Sequence, residues 1–222
     1  MSLRLSPSRT VAALLAAMAW YCLIGTFAQL SKEWTDLAEG FAMLTLYYTD
    51  WAIFLTAIFF TGIAAGKVYF ARHANFGHVV VVLAIMMVMY WTFQGMPHML
   101  KSRLAAQIAH TALFPAALLY WLVFHGREPA RWRHALRWTM FPFLYTVYGL
   151  TRGYITKNYP YTQANFEVLG MKWVGGMIFL TIVLSIVVGL ALVLWDKWIF
   201  RKNAHHSQMS DPEADENGAL TG

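Results

Sequence analysis

Apolar runs of about twenty residues alternate with short polar segments that hold nearly all the Lys and Arg. At 1.5 Å per residue such a run crosses a hydrocarbon core of roughly 30 Å. The pattern predicts helices over 10–30, 41–65, 78–96, 104–125, 137–153 and 173–199. The fold class is therefore all-α, a polytopic membrane protein whose six-helix domain occupies residues 1–202. The first run follows Arg4 and Arg9 like a signal peptide, but its apolar core is longer than an h-region and no small-x-small cleavage site follows, so it reads as a span. Residues 203–222, NAHHSQMSDPEADENGALTG, are polar and without apolar periodicity, which predicts a disordered tail. His205 and His206 in it have no further ligands nearby and read as solvated.

Composition agrees with the pattern: 59% of the 222 residues are hydrophobic and 13% are charged. The net charge of +6 does not imply nucleic acid, because the basic residues flank the apolar runs. In one set of alternating flanks lie Arg4, Arg9, Lys67, Arg72, Arg127, Arg131, Arg133, Arg137, Lys197, Arg201 and Lys202. The other set holds Lys32, Lys101, Arg103, Arg152, Lys157 and Lys172. Eleven against six predicts both termini in the cytoplasm. Cys22 is the single cysteine, so neither an intramolecular disulfide nor a thiolate metal site can form. Gly62 and Gly66 make a GIAAG pair suited to close helix approach, and Trp34, Trp91, Tyr154, Tyr159, Trp195 and Trp198 fit interfacial aromatic belts. No internal repeat divides the chain into matching halves, which argues against an inverted-repeat transporter.

Polar residues inside the spans then demand an explanation. Thr45, Thr49, Ala52 and Thr56 fall at steps of four, three and four, one small polar stripe on the second span. Asp50 lies about 100° from Thr49 on the helical wheel. Arg103, Gln107, His110, Thr111 and Phe114 form a second stripe on the fourth span, where His110 is an ionisable group within the hydrocarbon layer. Counted from span starts near 41 and 104, Thr49 and His110 lie about 12 Å and 9 Å deep, level in one leaflet. A histidine within reach of a threonine hydroxyl can take its proton and make it a nucleophile, and the surrounding lipid would supply a carbonyl. Taken alone, Thr49 reads as a membrane threonine bonded to its own backbone four residues back. Gln94 and Gln107 are candidate oxyanion donors. Arg103 and Lys101 are candidate partners of a lipid carboxylate, although snorkelling to lipid phosphate is the simpler account of them.

At these residues the chain resembles a known group. YTDWAIFLTAIFF resembles the second-helix motif of the family of the androgen-induced protein and the androgen-dependent TFPI-regulating protein, with Thr49 on its nucleophilic threonine. HTALFPAALL resembles the family's histidine motif, with His110 on the catalytic histidine and Pro115 on the following proline. In RGYITKNYPYTQANFEVLG, Tyr159, Pro160 and Tyr161 fill an aromatic-Pro-aromatic element. The resemblance implies a six-helix hydrolase of fatty acid esters of hydroxy fatty acids, using Thr49 as nucleophile and His110 as base, with no cofactor. The partner implied is a lipid substrate within the bilayer. The chain departs from the motif at Ala52, where the family commonly has Asn or Asp, and carries its acid at Asp50 instead.

Two other readings compete. Asp50 and His110 are also the pair a proton-linked transporter or channel-like protein would use. A metal site built from His73, His78, His98 and His110 has no HExxH or comparable spacing, and these histidines divide between opposite membrane sides.

Overall fold

The computed structural model describes residues 6–33, 37–94, 103–124 and 130–209. Within them every long element is an α-helix: α1 (Pro7–Glu33), α2 (Leu37–Leu44), α3 (Tyr48–Ala64), α4 (Val68–Ala71), α5 (His73–Phe93), α6 (Leu104–Thr111), α7 (Leu113–Val123), α8 (Trp132–Thr156), α9 (Phe166–Leu169) and α10 (Met171–Met209), with one 3₁₀ turn at Thr162–Ala164. The all-α class stands.

Among the described residues, three helices are long and apolar enough to cross a membrane, over Pro7–Gln29, His73–Phe93 and Met171–Phe200. Two broken pairs bring the number to five if each is one span: α2 with α3, bent by 86°, and α6 with α7, bent by 41°. The helices expected as single spans over 41–65 and 104–125 are thus each broken in two. The segment read as the fifth span lies in the 25-residue α8, whose Arg, Tyr, Trp and Thr content keeps it out of the apolar set. α10 runs seven residues past Lys202 into the segment expected to be a tail, and residues 210–222 lie outside the described residues.

α5 is the central helix, packed against α3, α7, α8 and α10. Val79, Val80, Val81 and Val82 are all fully buried. Four consecutive buried residues point to every side of a helix, so neighbours must surround it. The α1–α3 pair is the most extensive contact and uses small residues: Ala12, Ala16 and Ala19 face a helix that buries Ala52 and Ala57. In lipid, where apolar transfer gives little, such residues let backbones approach and gain dispersion energy. Gly77 admits the Trp138 ring, which would lie 2.3 Å from a Cβ there, while the Trp138 indole N–H donates to the Ala74 carbonyl at 2.8 Å.

The two glycines of the GIAAG pair have separate uses. Gly62 seats the ring of Phe70 in the same chain, and Gly66, at φ 74°, lies past the end of α3 in a turn beside Arg9. Arg9 donates from Nε to the Ala64 carbonyl at 3.0 Å, a cation at a helix C-terminus.

At the same end, buried His73 places Nδ1 3.0 Å from Asp196 Oδ1 and Nε2 3.3 Å from the Phe124 carbonyl, with its ring stacked on Trp121. The Ala130 amide donates to the other Asp196 oxygen. This cluster ties the start of α5 to the end of α7, the approach to α8, and α10.

Candidate active site

The site is built around the break between α2 and α3. Where a membrane helix breaks, the released carbonyls need donors. They find them in side chains. The Trp51 indole donates to the Thr45 carbonyl at 2.8 Å, Tyr145 donates to the Leu46 carbonyl at 2.7 Å, and Arg152 donates to the Ala42 carbonyl at 3.0 Å and to the Thr45 hydroxyl at 3.2 Å. The positive charge of Arg152 sits at the C-terminal end of α2, where the helix dipole favours it.

The break moves Thr49 into the first turn of α3, with Tyr47 in an extended conformation at the N-cap position and supplying no side-chain cap. Tyr161 stands beside this turn, its ring edge-on to Tyr47 with centroids 5.8 Å apart and on the same cavity wall as Thr49. Burial pushes the Tyr161 phenol up to about 12, with the Thr49 contacts pulling the other way. Asp50 follows at the third position of α3, 4% exposed, where a carboxylate complements the helix N-terminus. That accounts structurally for an acid inside an apolar run.

Thr49 and His110 line one cavity of about 690 Å³, together with Asp50, Gln94, Pro160 and Tyr161. The size is that of a site for a small molecule or a lipid segment. The depth count from residue 41 fails, because no continuous helix joins residue 41 to Thr49; Thr49 and His110 do line the same cavity. Thr45 lies outside α3, so the stripe it was expected to share with Thr49 and Thr56 does not exist. The fully buried Thr56 donates back to the Ala52 carbonyl at 2.7 Å.

Three other helical threonines on the cavity wall also donate to the carbonyl four residues back: Thr26 to Cys22 at 3.0 Å, Thr146 to Pro142 at 2.8 Å and Thr181 to Met177 at 2.8 Å. Thr49 differs because it stands in the first turn of α3, so that the residue four back, Thr45, lies outside the helix, where its carbonyl accepts from the Trp51 indole.

His110 occupies the last turn of α6, its ring stacked on Tyr90 of α5 with centroids 3.8 Å apart and planes at 16°. Pro115, three residues past the bend, lacks the N–H that would bond the Thr111 carbonyl, and its ring crowds that carbonyl. Pro115 is thus exposed and off the cavity wall, and its effect is the 41° kink beside His110.

The segment from Lys157 to Gly170 forms a strap over the outer part of the cavity. Lys157 adopts φ 57° to end α8 and pairs with Glu167. Tyr159 lies over Gly153, where a Cβ would come within 2.3 Å of its ring, and Pro160 lies against Gly149. Tyr159 stays off the cavity wall, whereas Pro160 to Ala164 form part of it.

Other candidates fall elsewhere. Gln107 and Arg103 do not line the cavity; Arg103 is exposed at the start of α6, and Lys101 and His98 lie outside the described residues. Among the described residues no three His, Cys, Asp or Glu come together, and His73 belongs to the Asp196 cluster. Trp51, Tyr145, Arg152 and Gln163 were missed by sequence reasoning, since their roles depend on a break that hydropathy alone does not mark. No family model, curated protein or solved structure matches the chain.

Proposed function

We propose that the protein is an intramembrane lipid ester hydrolase with Thr49 as nucleophile and His110 as general base. It is a multi-pass integral membrane protein with six crossings, α2–α3 and α6–α7 each serving as one broken span and α8 as the fifth. Both termini are cytoplasmic, as the eleven-to-six division of basic residues favours. The observation that carries the reading is the setting of Thr49: it stands in the first turn of α3, with the residue four back outside the helix, and it shares a cavity with His110.

In the first step His110 takes the Thr49 hydroxyl proton as Oγ1 bonds to the ester carbonyl carbon. The bond from that carbon to the alcohol oxygen then breaks, and His110 returns the proton to the leaving oxygen. A water, deprotonated by His110, attacks the acyl-threonine, releasing the acid and restoring Thr49. The Tyr161 hydroxyl and the first-turn amides of α3 are the donors beside Thr49 that can stabilise the oxyanion. The family resemblance supports the same pair and implies fatty acid esters of hydroxy fatty acids as the substrate class.

The test is hydrolysis of such esters by purified protein, with Thr49→Ala and His110→Ala each lowering the rate at least about 100-fold. Full activity in either variant overturns the assignment. One observation favours a second reading, a proton-linked pathway: Asp50 and His110 line the same cavity. That reading requires proton-coupled flux in liposomes that Asp50→Asn abolishes, with no acyl-enzyme formed.

A further inference from the structure

The buried polar side chains among the described residues find partners within the protein, with one exception. Thr56, Thr139 and Ser185 donate to carbonyls four residues back, Asn75 donates to the Tyr69 carbonyl at 2.8 Å, and His73 meets Asp196. Asp50 is buried to the same degree, at 4% exposed, yet no hydrogen bond or ion pair engages its carboxyl among the described residues. It is also the member of this set that lines the cavity shared by Thr49 and His110.

A buried carboxyl without a partner is costly, and such a group marks a place where a water, an ion or a reacting molecule completes the bonding. A cation would have too few ligands, since among the described residues no three His, Cys, Asp or Glu come together. Water suits the place better. The cavity of about 690 Å³ has room for it, and the Thr49 and Tyr161 hydroxyls in the same cavity can supply further bonds. Asp50 follows Thr49 in the first turn of α3. Consecutive Cα atoms stand about 3.8 Å apart and their side chains about 100° apart on the helix, so the two side chains stand next to each other. An acyl group on Thr49 Oγ1 is thus a neighbour of whatever the Asp50 carboxyl holds.

We propose that Asp50 holds the water that hydrolyses the acyl-threonine. The proposal rests on the hydrolase reading above and concerns its second half. One hydrogen of the water is bonded to the Asp50 carboxyl, and the other passes to His110 as the water oxygen bonds to the acyl carbon. The bond from that carbon to Thr49 Oγ1 then breaks, and His110 returns the proton to Oγ1 as the acid leaves. Asp50 accepts a hydrogen bond throughout and takes no proton. Formation of the acyl-threonine consumes no water, so loss of Asp50 falls on deacylation.

The test uses p-nitrophenyl octanoate and full-length protein in detergent micelles, with the initial release of p-nitrophenol read against steady turnover. Asp50→Ala is expected to slow deacylation at least about 10-fold more than acylation, giving a stoichiometric burst, then a slow phase, with octanoyl-Thr49 present in the intact protein. Asp50→Leu is expected to behave as Asp50→Ala does, so the result does not hang on one variant folding. Asp50→Asn keeps a side chain that bonds water and is expected to leave the ratio of the two steps within about threefold of wild type. An unchanged ratio in Asp50→Ala and Asp50→Leu, or a deacylation loss in Asp50→Asn as large as in Asp50→Ala, overturns the assignment of Asp50 and leaves Thr49 and His110 standing. Absence of Thr49-dependent release by wild-type protein overturns the hydrolase reading and this inference with it.

Discussion

The Trp51 indole N–H donates to the Thr45 carbonyl at 2.8 Å, and this contact separates Thr49 from the other threonines of the cavity wall. Trp51→Phe keeps an aromatic side chain, gives up part of the ring volume and removes the donor. About 1 kcal/mol of stability is expected to be lost, because a carbonyl in the bundle is left without its partner. If the contact also sets the direction of the Thr49 hydroxyl, kcat for ester hydrolysis falls about 10-fold while KM stays near wild type. A lowered melting temperature in detergent with wild-type kcat would show that Trp51 only braces the break.

How much of this was legible beforehand depends on what hydropathy averages away. The helical class and the approximate positions of the helices follow from run lengths and the placing of polar residues. The break at 45–47 does not, because the residues that satisfy its carbonyls come from α3 itself and from α8, about a hundred positions later. One local signal was present. An acid in the first turn is a helix-start mark, and Asp50 supplies it, but within an apolar run it reads as a polar intrusion. Pro115 likewise announced the second bend, since a proline within a helical pattern frees the carbonyl four residues back. The strap was legible only through the Tyr-Pro-Tyr resemblance; its seating on Gly149 and Gly153 requires the folded chain.

Tyr161 gives a prediction in pH. Burial raises its phenol from the ordinary 10.0 to about 12. Between those values a phenol exposed by an opened strap releases its proton while the seated one keeps it. The seated form therefore has its full stability below about pH 10 and loses it as pH rises, by at most about 1.4 kcal/mol per unit. Melting temperatures in detergent from pH 8 to 11 are expected to fall more steeply for wild type than for Tyr161→Phe. Parallel curves would mean that Tyr161 does not carry the dependence.

The His73–Asp196 pair yields a stability prediction separable from catalysis. The His73 ring bridges two acceptors, Asp196 Oδ1 at Nδ1 and the Phe124 carbonyl at Nε2. Removing either partner leaves a buried polar group unanswered, so His73→Ala and Asp196→Ala are each expected to cost about 3–5 kcal/mol. The double variant should cost less than the two together by at least about 1 kcal/mol, since neither residue then leaves the other stranded. Denaturation midpoints of the four proteins measure this, and additive losses would show the two residues to be independent.

Pro115 tests whether the second bend aims the histidine. The Pro115→Ala change restores an N–H that can bond the Thr111 carbonyl and removes the ring that crowds it, so α6 and α7 are expected to straighten from 41° toward one helix. A continuous helix is at least as stable, and the melting temperature should hold or rise. His110 sits one turn before the restored bond and is held against Tyr90 by a 3.8 Å ring stack, so straightening shifts the base relative to Thr49. Misplacement of a general base by about 1 Å is expected to lower kcat about 100-fold. A variant with a raised melting temperature and undiminished kcat would show that the bend serves packing alone. A loss of kcat without loss of stability would tie the proline, through Thr111, to the position of His110.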